Sequence, residues 1–253
     1  MQRVNGLVSV IIPVYNVEHV IEQTINSVLQ QTYRNIEVVL VDDCSPDNSA
    51  RIIHEIMDKD ERIRYFKLEK NSGAAVARNR AITESRGRYI AFLDSDDMWE
   101  SNKLEKELAL MKERDCAFVY SAIKMVDKDG KVTKESTYVP VKLSYKTILT
   151  RTYIATSSVL LDMEKIGEFQ MPLRRSGQDY ATWLMLLRRV DYAYGIQEPL
   201  VRYRNSPNSL SSNKIASLKK VYSVQTKFER INPIYAAFNT FCFGLYAFKK
   251  HFL

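Results

Sequence analysis

The chain has 253 residues, 45% hydrophobic and 26% charged, which suits one compact unit with an appendage and excludes disordered and fibrous classes. Its 8 Gly and 7 Pro follow no period, and its 3 Cys (Cys44, Cys116, Cys242) make neither a disulfide framework nor a CxxC metal pair, pointing to a reducing, cytoplasmic compartment. The net charge of +7 is uneven: Val201 to Leu253 holds nine Lys/Arg and one acid, Glu229, for +8, and the remainder carries −1, which disfavours nucleic acid and favours an anionic membrane surface as partner.

The opening run MQRVNGLVSVIIPVYN lacks a basic n-region and a small-residue cleavage site, so it reads as a strand rather than a signal peptide. Strands are expected at Val8–Pro13, Ile36–Val41, Ile63–Leu68 and Tyr89–Leu93. Helices alternate with them near Val20–Gln30, Ser49–Met57 and Ala74–Ser85, and Asp47, Asn48 and Ser49 supply caps for the second. This alternation predicts an α/β fold with a Rossmann-like, mostly parallel central sheet flanked by helices. In such sheets ligands gather beyond the carboxyl ends of the strands, where Tyr15-Asn16, Asp42-Asp43 and Asp94-Ser95-Asp96-Asp97 fall.

A helix follows near Asn102–Arg114, then a hairpin from Cys116–Val126 through the Asp129-Gly130 turn to Lys131–Thr137. Thr156–Leu161 reads as strand, Asp179–Val190 as helix and Leu200–Tyr203 as strand again, with a polar turn around Asn205–Asn208. From Lys214 two helices are expected, broken near Asn232-Pro233 because proline ends one helix and suits the first turn of the next. The chain divides into a catalytic domain over 1–212, with a nucleotide-binding half at 1–100 and an acceptor half at 101–212, and a C-terminal helical tail over 213–253.

Asp94, Asp96 and Asp97 crowd three carboxylates onto one strand terminus, which is costly unless a cation or solvent compensates. Mg²⁺ or Mn²⁺ accepts carboxylate oxygens while keeping positions for phosphate, so the cluster suits a nucleoside diphosphate leaving group; it also reads as a solvated acidic turn capping the next helix. In Asp42-Asp43 one acid is suited to accept the imide N–H of uracil, although the stretch also reads as an ordinary loop and helix cap. His19, His54 and His251 are too isolated for a zinc site or a nucleophile's partner.

Four segments in this order, Val10-Ile11-Ile12-Pro13-Val14-Tyr15-Asn16, Val41-Asp42-Asp43-Cys44-Ser45, Gly73-Ala74-Ala75-Val76-Ala77-Arg78-Asn79 and Phe92-Leu93-Asp94-Ser95-Asp96-Asp97, resemble the inverting family 2 glycosyltransferases of the GT-A fold. The resemblance covers about the first 210 residues and is densest before Glu100. It implies transfer of a sugar from a nucleotide donor, most often UDP-linked, to a hydroxyl of a glycan or lipid-linked acceptor in cell-envelope polysaccharide synthesis. Carried over by resemblance, Pro13 and Tyr15 line the nucleobase pocket, Asp43 reads the base edge with Asp42 behind it, and Arg78 pairs with diphosphate. Ser95 joins the donor-binding set; Asp94 faces the ribose, and Asp94 and Asp96 hold the metal of a DXD-type motif, with Asp97 assisting. Asp179, at the start of a later helix, takes the family's base position.

Departures from the family pattern are Cys44 where Gly is frequent, Gln178 where a second acid is frequent, and Ser206 where a His that reaches metal or diphosphate is frequent. The Gln-x-x-Arg-Trp signature of processive synthases is absent, which implies transfer of a single sugar. Pro233–Phe248, rich in aromatics between Arg230 and Lys249-Lys250, suits a helix lying at the inner face of the cytoplasmic membrane, and equally one packed on the catalytic domain or in a dimer. A nucleotidyltransferase is the rival enzyme reading, but Val14-Tyr15-Asn16-Val17-Glu18 is not its Gly-rich phosphate loop. A nucleotide-binding protein without catalysis is the non-enzymatic one.

Overall fold

The computed structural model describes residues 3–151, 153–174, 176–204 and 214–252. The loop around Asn205–Asn208, with Ser206, and the boundary expected between residues 212 and 213 lie outside them. The first half alternates strand and helix: β1 (Val4–Val14), α1 (Ile21–Leu29), β2 (Ile36–Asp42), α2 (Ser49–Met57), β3 (Ile63–Lys67), α3 (Ala74–Glu84) and β4 (Gly87–Phe92). Every residue of β2 is buried, as a strand covered by helices on both faces requires. Side chains alternate between the two faces: Ile11, Val39 and Phe92 enter one core with α3, whereas Val10, Ile12 and Leu40 enter the other with α1 and α2. β2 and β4 flank β1, and β3 lies beyond β2, all parallel.

The second half comprises β5 (Met98–Trp99), α4 (Lys103–Glu113), β6 (Phe118–Val126), β7 (Val132–Lys134), β8 (Lys142–Leu143), α5 (Tyr145–Thr150), a 3₁₀ turn at Thr156–Ser158, β9 (Leu160–Asp162), α6 (Met163–Ile166), α7 (Gln178–Leu186) and β10 (Ala193–Arg204). The sheet runs β3-β2-β1-β4-β9-β6-β10-β5, with β7 on β6 and β8 on β10. Its parallel character belongs to the first half. β9 is antiparallel to both β4 and β6, β10 returns parallel to β6, and short antiparallel strands finish the edge, so the whole sheet is mixed.

Two elements differ from the sequence expectation. The strand expected at Leu200–Tyr203 begins at Ala193; Gly195 and Pro199 mask it, and the ladder absorbs the proline through register shifts on either side. The run Thr156–Leu161 splits, because its polar half closes a turn and only the apolar half enters the sheet. That turn sets Ser157 under the acidic loop. β5 is braced nearby by a fully buried pair on α4: Lys103 Nζ lies 2.5 Å from Glu107 Oε2 and 4.2 Å from the Trp99 ring centroid.

After the second half, α8 (Lys214–Ser223) runs into a π-helical stretch, Val224–Phe228, and α9 (Pro233–Phe252) opens on its proline as expected. The inner face of α9 packs on the second half: Ala236 is fully buried and Tyr246 meets the Tyr153 ring edge-on at 5.3 Å. On the outer face Ile234, Tyr235, Phe238, Phe241 and Leu245 are each more than half exposed. Among the described residues no helix is long and apolar enough to cross a membrane.

Candidate active site

Parallel strands β1, β2 and β4 deliver their carboxyl ends to one edge of the sheet, and a cleft of about 490 Å³ opens there. Pro13, Tyr15, Asp43, Arg78, Asp94, Ser95 and Asp96 all line it, joined by Asn71, Gly73 and Tyr203. Tyr15 stands about half exposed (49%), so its ring is available as a face for a planar ligand rather than spent on core packing. Asp42 and Asp179 are not part of this lining.

The paired acids after β2 have separate tasks, because adjacent side chains on an extended backbone point to opposite sides. Asp42 is fully buried and accepts the Ser45 N–H and the Tyr65 hydroxyl, each at 2.7 Å. Asp43 turns to the cleft, where its two oxygens accept the N–H groups of Ser72 (2.6 Å) and Gly73 (2.7 Å). These bonds pin the loop that starts α3; Gly73 has φ +93°, a conformation reserved in practice for glycine. One N–H on each oxygen still leaves carboxylate lone pairs for a ligand donor. Cys44 has φ 60°, which accounts for the frequency of glycine at this place, and its thiol donates to Leu68 O at 2.9 Å.

Across the cleft, Arg78 Nη2 lies 2.5 Å from Asp94 Oδ1, and the buried Arg78 Nε–H has no partner among the described residues. The guanidinium thus stands within the cleft wall already paired to the first acid of the cluster. Asp97 faces the protein interior: it accepts Ser157 Oγ–H at 2.5 Å and Arg204 N–H at 2.9 Å. Burial, then the charges of Asp94 and Asp96, push its carboxyl well above the ordinary range. Asp96 is different again. Its own backbone N–H is the one donor to its carboxylate among the described residues, and burial followed by the Asp94 charge raises its pKa to about 6.

Two residues not among the expected site residues, Ser157 and Arg204, hold this loop in shape. Ser157 Oγ both donates to Asp97 and accepts the Asp94 N–H at 3.1 Å. Its carbonyl accepts Trp99 Nε1–H at 2.8 Å. Arg204, at the end of β10, donates to the Asp96 carbonyl (3.0 Å), to Lys128 O (2.5 Å) and to Gln23 Oε1 (3.1 Å), tying the loop to the hairpin and α1. Tyr203 completes the cleft wall. None has a local sequence signal, since each acts on residues far away in the chain.

Asp179 occupies the first turn of α7, a helix anchored by Trp183, whose ring meets Phe92 and Phe118 edge-on at 5.7 and 5.5 Å. No donor binds the Asp179 carboxylate among the described residues. The Tyr203 hydroxyl is raised above its ordinary pKa by burial, then by Asp97, Asp94, Asp96 and Asp179, so all four acids lie within electrostatic reach of one cleft residue. The arrangement combines an aromatic face, a polar wall that carries Arg78 and the acidic loop, and a separate carboxylate on α7.

Among the described residues no group of three or more His, Cys, Asp or Glu forms a complete metal site. The residues do fit a hard cation that takes its other ligands from a phosphate and water: Asp96 is partly buried with no donor from another residue among the described ones, and Asp94 has one oxygen outside its bond to Arg78.

Residues 9–163 match the sequence model of glycosyl transferase family 2. The chain is 45% identical over 241 residues to TuaG of Bacillus subtilis, a glycosyltransferase assigned to teichuronic acid biosynthesis, covering 95% of this chain and 94% of that one. It is 36% identical to WfgD of Escherichia coli, a UDP-Glc:alpha-D-GlcNAc-diphosphoundecaprenol beta-1,3-glucosyltransferase, covering 97% and 95%. The fold is similar to that of S. aureus TarS solved with UDP-GlcNAc, with TM-score 0.70 and 22% identity, over 87% of this chain and 64% of that one. It is also similar to a mannosyltransferase from Pyrobaculum calidifontis solved with GDP-Man and Mn²⁺, with TM-score 0.65 and 16% identity, over 89% of this chain and 64% of that one. These two likenesses establish the GT-A architecture.

A folded-state pKa of about 6 for Asp96, against the ordinary 3.8, means the folded form retains a proton that the unfolded chain has released between those values. This group's contribution to stability therefore falls as the pH rises through that window. Carbon-detected NMR of the ligand-free protein is expected to report an Asp96 midpoint near 6, moving down toward 3.8 in Asp94→Asn, where a like charge is gone. An unchanged midpoint in that variant would remove Asp94 as a cause.

Proposed function

The chain belongs to glycosyl transferase family 2, and we propose that it is an inverting enzyme that moves one sugar from a UDP-linked donor to a hydroxyl of a lipid-linked glycan. The reaction belongs to cell-envelope polysaccharide synthesis. Family membership sets aside the nucleotidyltransferase reading. The activity of WfgD, a relative matching almost end to end, supports a UDP-sugar and a diphosphoundecaprenol-linked acceptor. The observation that carries the reading is the convergence of Tyr15, Asp43, Arg78, Asp94 and Asp96 on one cleft.

In the proposed mechanism the uracil lies against Tyr15 and Pro13, and its imide N–H donates to Asp43, which Asp42 supports from behind. Ser95 and Asp94 meet the ribose side of the donor. Arg78 turns its unmet Nε–H and adjacent charge toward the diphosphate. Mg²⁺ or Mn²⁺, held by Asp96 and Asp94, would neutralise charge on the departing nucleoside diphosphate. Asp179 takes the proton of the acceptor hydroxyl as that oxygen attacks the anomeric carbon from the side opposite the leaving group. The sugar–phosphate C–O bond breaks, its electron pair leaves with UDP, and the anomeric configuration inverts. Gln178 beside the base supplies no second carboxylate, so one proton acceptor carries the step.

The unit over 1–212 carries this chemistry and the tail over 213–253 brings it to its acceptor. The aromatic outer face of α9, within a tail of charge +6 (seven Lys/Arg against Glu229), suits an anionic lipid surface at the inner side of the cytoplasmic membrane, where a lipid-linked acceptor is met.

Asp179→Asn is expected to lower kcat by about 10²–10⁴ with UDP affinity, measured by calorimetry, unchanged. Unaltered turnover would remove Asp179 as the base. In vesicle co-sedimentation the protein should bind phosphatidylglycerol and not phosphatidylcholine, and Phe238→Ser and Phe241→Ser should each weaken binding roughly tenfold through lost apolar burial. Equal sedimentation of both variants with wild type would exclude the outer face of α9.

A further inference from the structure

The tail is bonded to the helix that carries the proposed base. Gln225, fully buried in the π-helical stretch, donates from Nε2 to Leu149 O at the end of α5 (2.7 Å) and to the Tyr180 hydroxyl (3.0 Å). Its Oε1 accepts Asn239 Nδ2–H from α9 at 2.9 Å. Tyr180 adjoins Asp179 in the first turn of α7. One amide therefore joins α9, α5 and the turn holding Asp179, with both of its donors and its acceptor used. The local widening of the helix is what turns a glutamine side chain inward here, and such π segments recur where function needs an irregular helix.

Contacts on the preceding loop point the same way. Gly177, the N-cap of α7, has φ +73°, and a Cβ there would lie 2.8 Å from Lys220 Cγ and 3.3 Å from Val224 Cγ2. Arg174 Nη2 donates to Ser223 Oγ at 2.9 Å. At the far end of α7, Arg188 bonds Glu229 Oε2 (2.8 Å), which also accepts the Tyr145 hydroxyl (2.7 Å). The tail thus grips α7 before its first turn, within it and after its last, while among the described residues the donor-cleft side chains of Asp43, Arg78 and Asp94 bond to other elements.

We infer that the C-terminal segment is part of the catalytic apparatus, with Gln225 acting as a positioning residue that fixes the first turn of α7 and so aims Asp179 at the acceptor. This rests on the assignment of Asp179 as the base. A polar residue buried at this depth is a poor choice for packing alone, because an apolar side chain of equal volume would fill the space without needing three partners. Fixing a hydrogen-bonded direction is what the amide adds.

The test is a cycle of Gln225→Met and Asp179→Asn, assayed with GlcNAc-diphosphoundecaprenol and whichever UDP-sugar gives the highest turnover. Gln225→Met keeps volume and removes the bonds, and is expected to lower kcat by between about tenfold and hundredfold, as a misaligned base does, with donor KM unchanged. In the Asp179→Asn background it should cost nothing further. An equal loss in both backgrounds, or a loss confined to KM, overturns the inference. Failure of the base assignment is read separately, as full activity in Asp179→Asn alone. Asn239→Ala, which removes only the outermost link, should show the same signature with a smaller factor. Hydrogen exchange needs no substrate: amides 178–182 should exchange faster in both Gln225→Met and Asn239→Ala, with those of 74–84 unchanged. Protection of 178–182 equal to wild type in both variants also overturns it.

Discussion

Three carboxylates at the end of β4 repel one another, and much of the surrounding structure answers that repulsion. Asp97 is drawn inward and satisfied by Ser157 and the Arg204 backbone; Asp94 is paired with Arg78; among the described residues Asp96 is met only by its own backbone N–H. The residual cost is visible in Asp96, whose proton is held to about pH 6. In the proposed function a hard cation, with the phosphate it brings, answers what is left of that repulsion. Arg204 and Ser157 hold the acidic loop in this shape.

The two halves of the sheet divide the work. Parallel strands bring the residues proposed to contact base, ribose and diphosphate to one edge because their carboxyl ends all point the same way. The mixed half folds back through β9 and β10 and carries α7 alongside, so Asp179, the proposed proton acceptor, arrives from a different element, anchored by Trp183 on the same core. Separating donor and acceptor groups onto different elements lets either substrate specificity change without dismantling the other. The tail is continuous with the second half through Gln225 and Glu229, and its outer aromatic face is free to meet another surface.

What was legible in the sequence is what local pattern encodes. Strand-ending acids, the Gly73 start of α3, the Asp129-Gly130 turn and Pro233 at the start of α9 all signal within a few residues of themselves. The division of labour between Asp42 and Asp43 follows from strand alternation, although which of them faces the cleft needs the sheet. Ser157, Tyr203 and Arg204 were not legible as site residues, because their partners lie 60 to more than 100 positions away. The strand from Ala193 was hidden by a proline that a bulge accommodates. Gln225 gives no signal at all, since its significance depends on a π turn that no periodicity reports.

The account stands on the acidic loop being a cation-assisted diphosphate site, and calorimetry of UDP binding with and without Mn²⁺ tests this most directly. Wild-type protein should bind UDP at least about tenfold more tightly with Mn²⁺ present, and Asp96→Asn should lose that enhancement while keeping its metal-free affinity. Metal-independent UDP binding in the wild type, or an enhancement undiminished in Asp96→Asn, would contradict it.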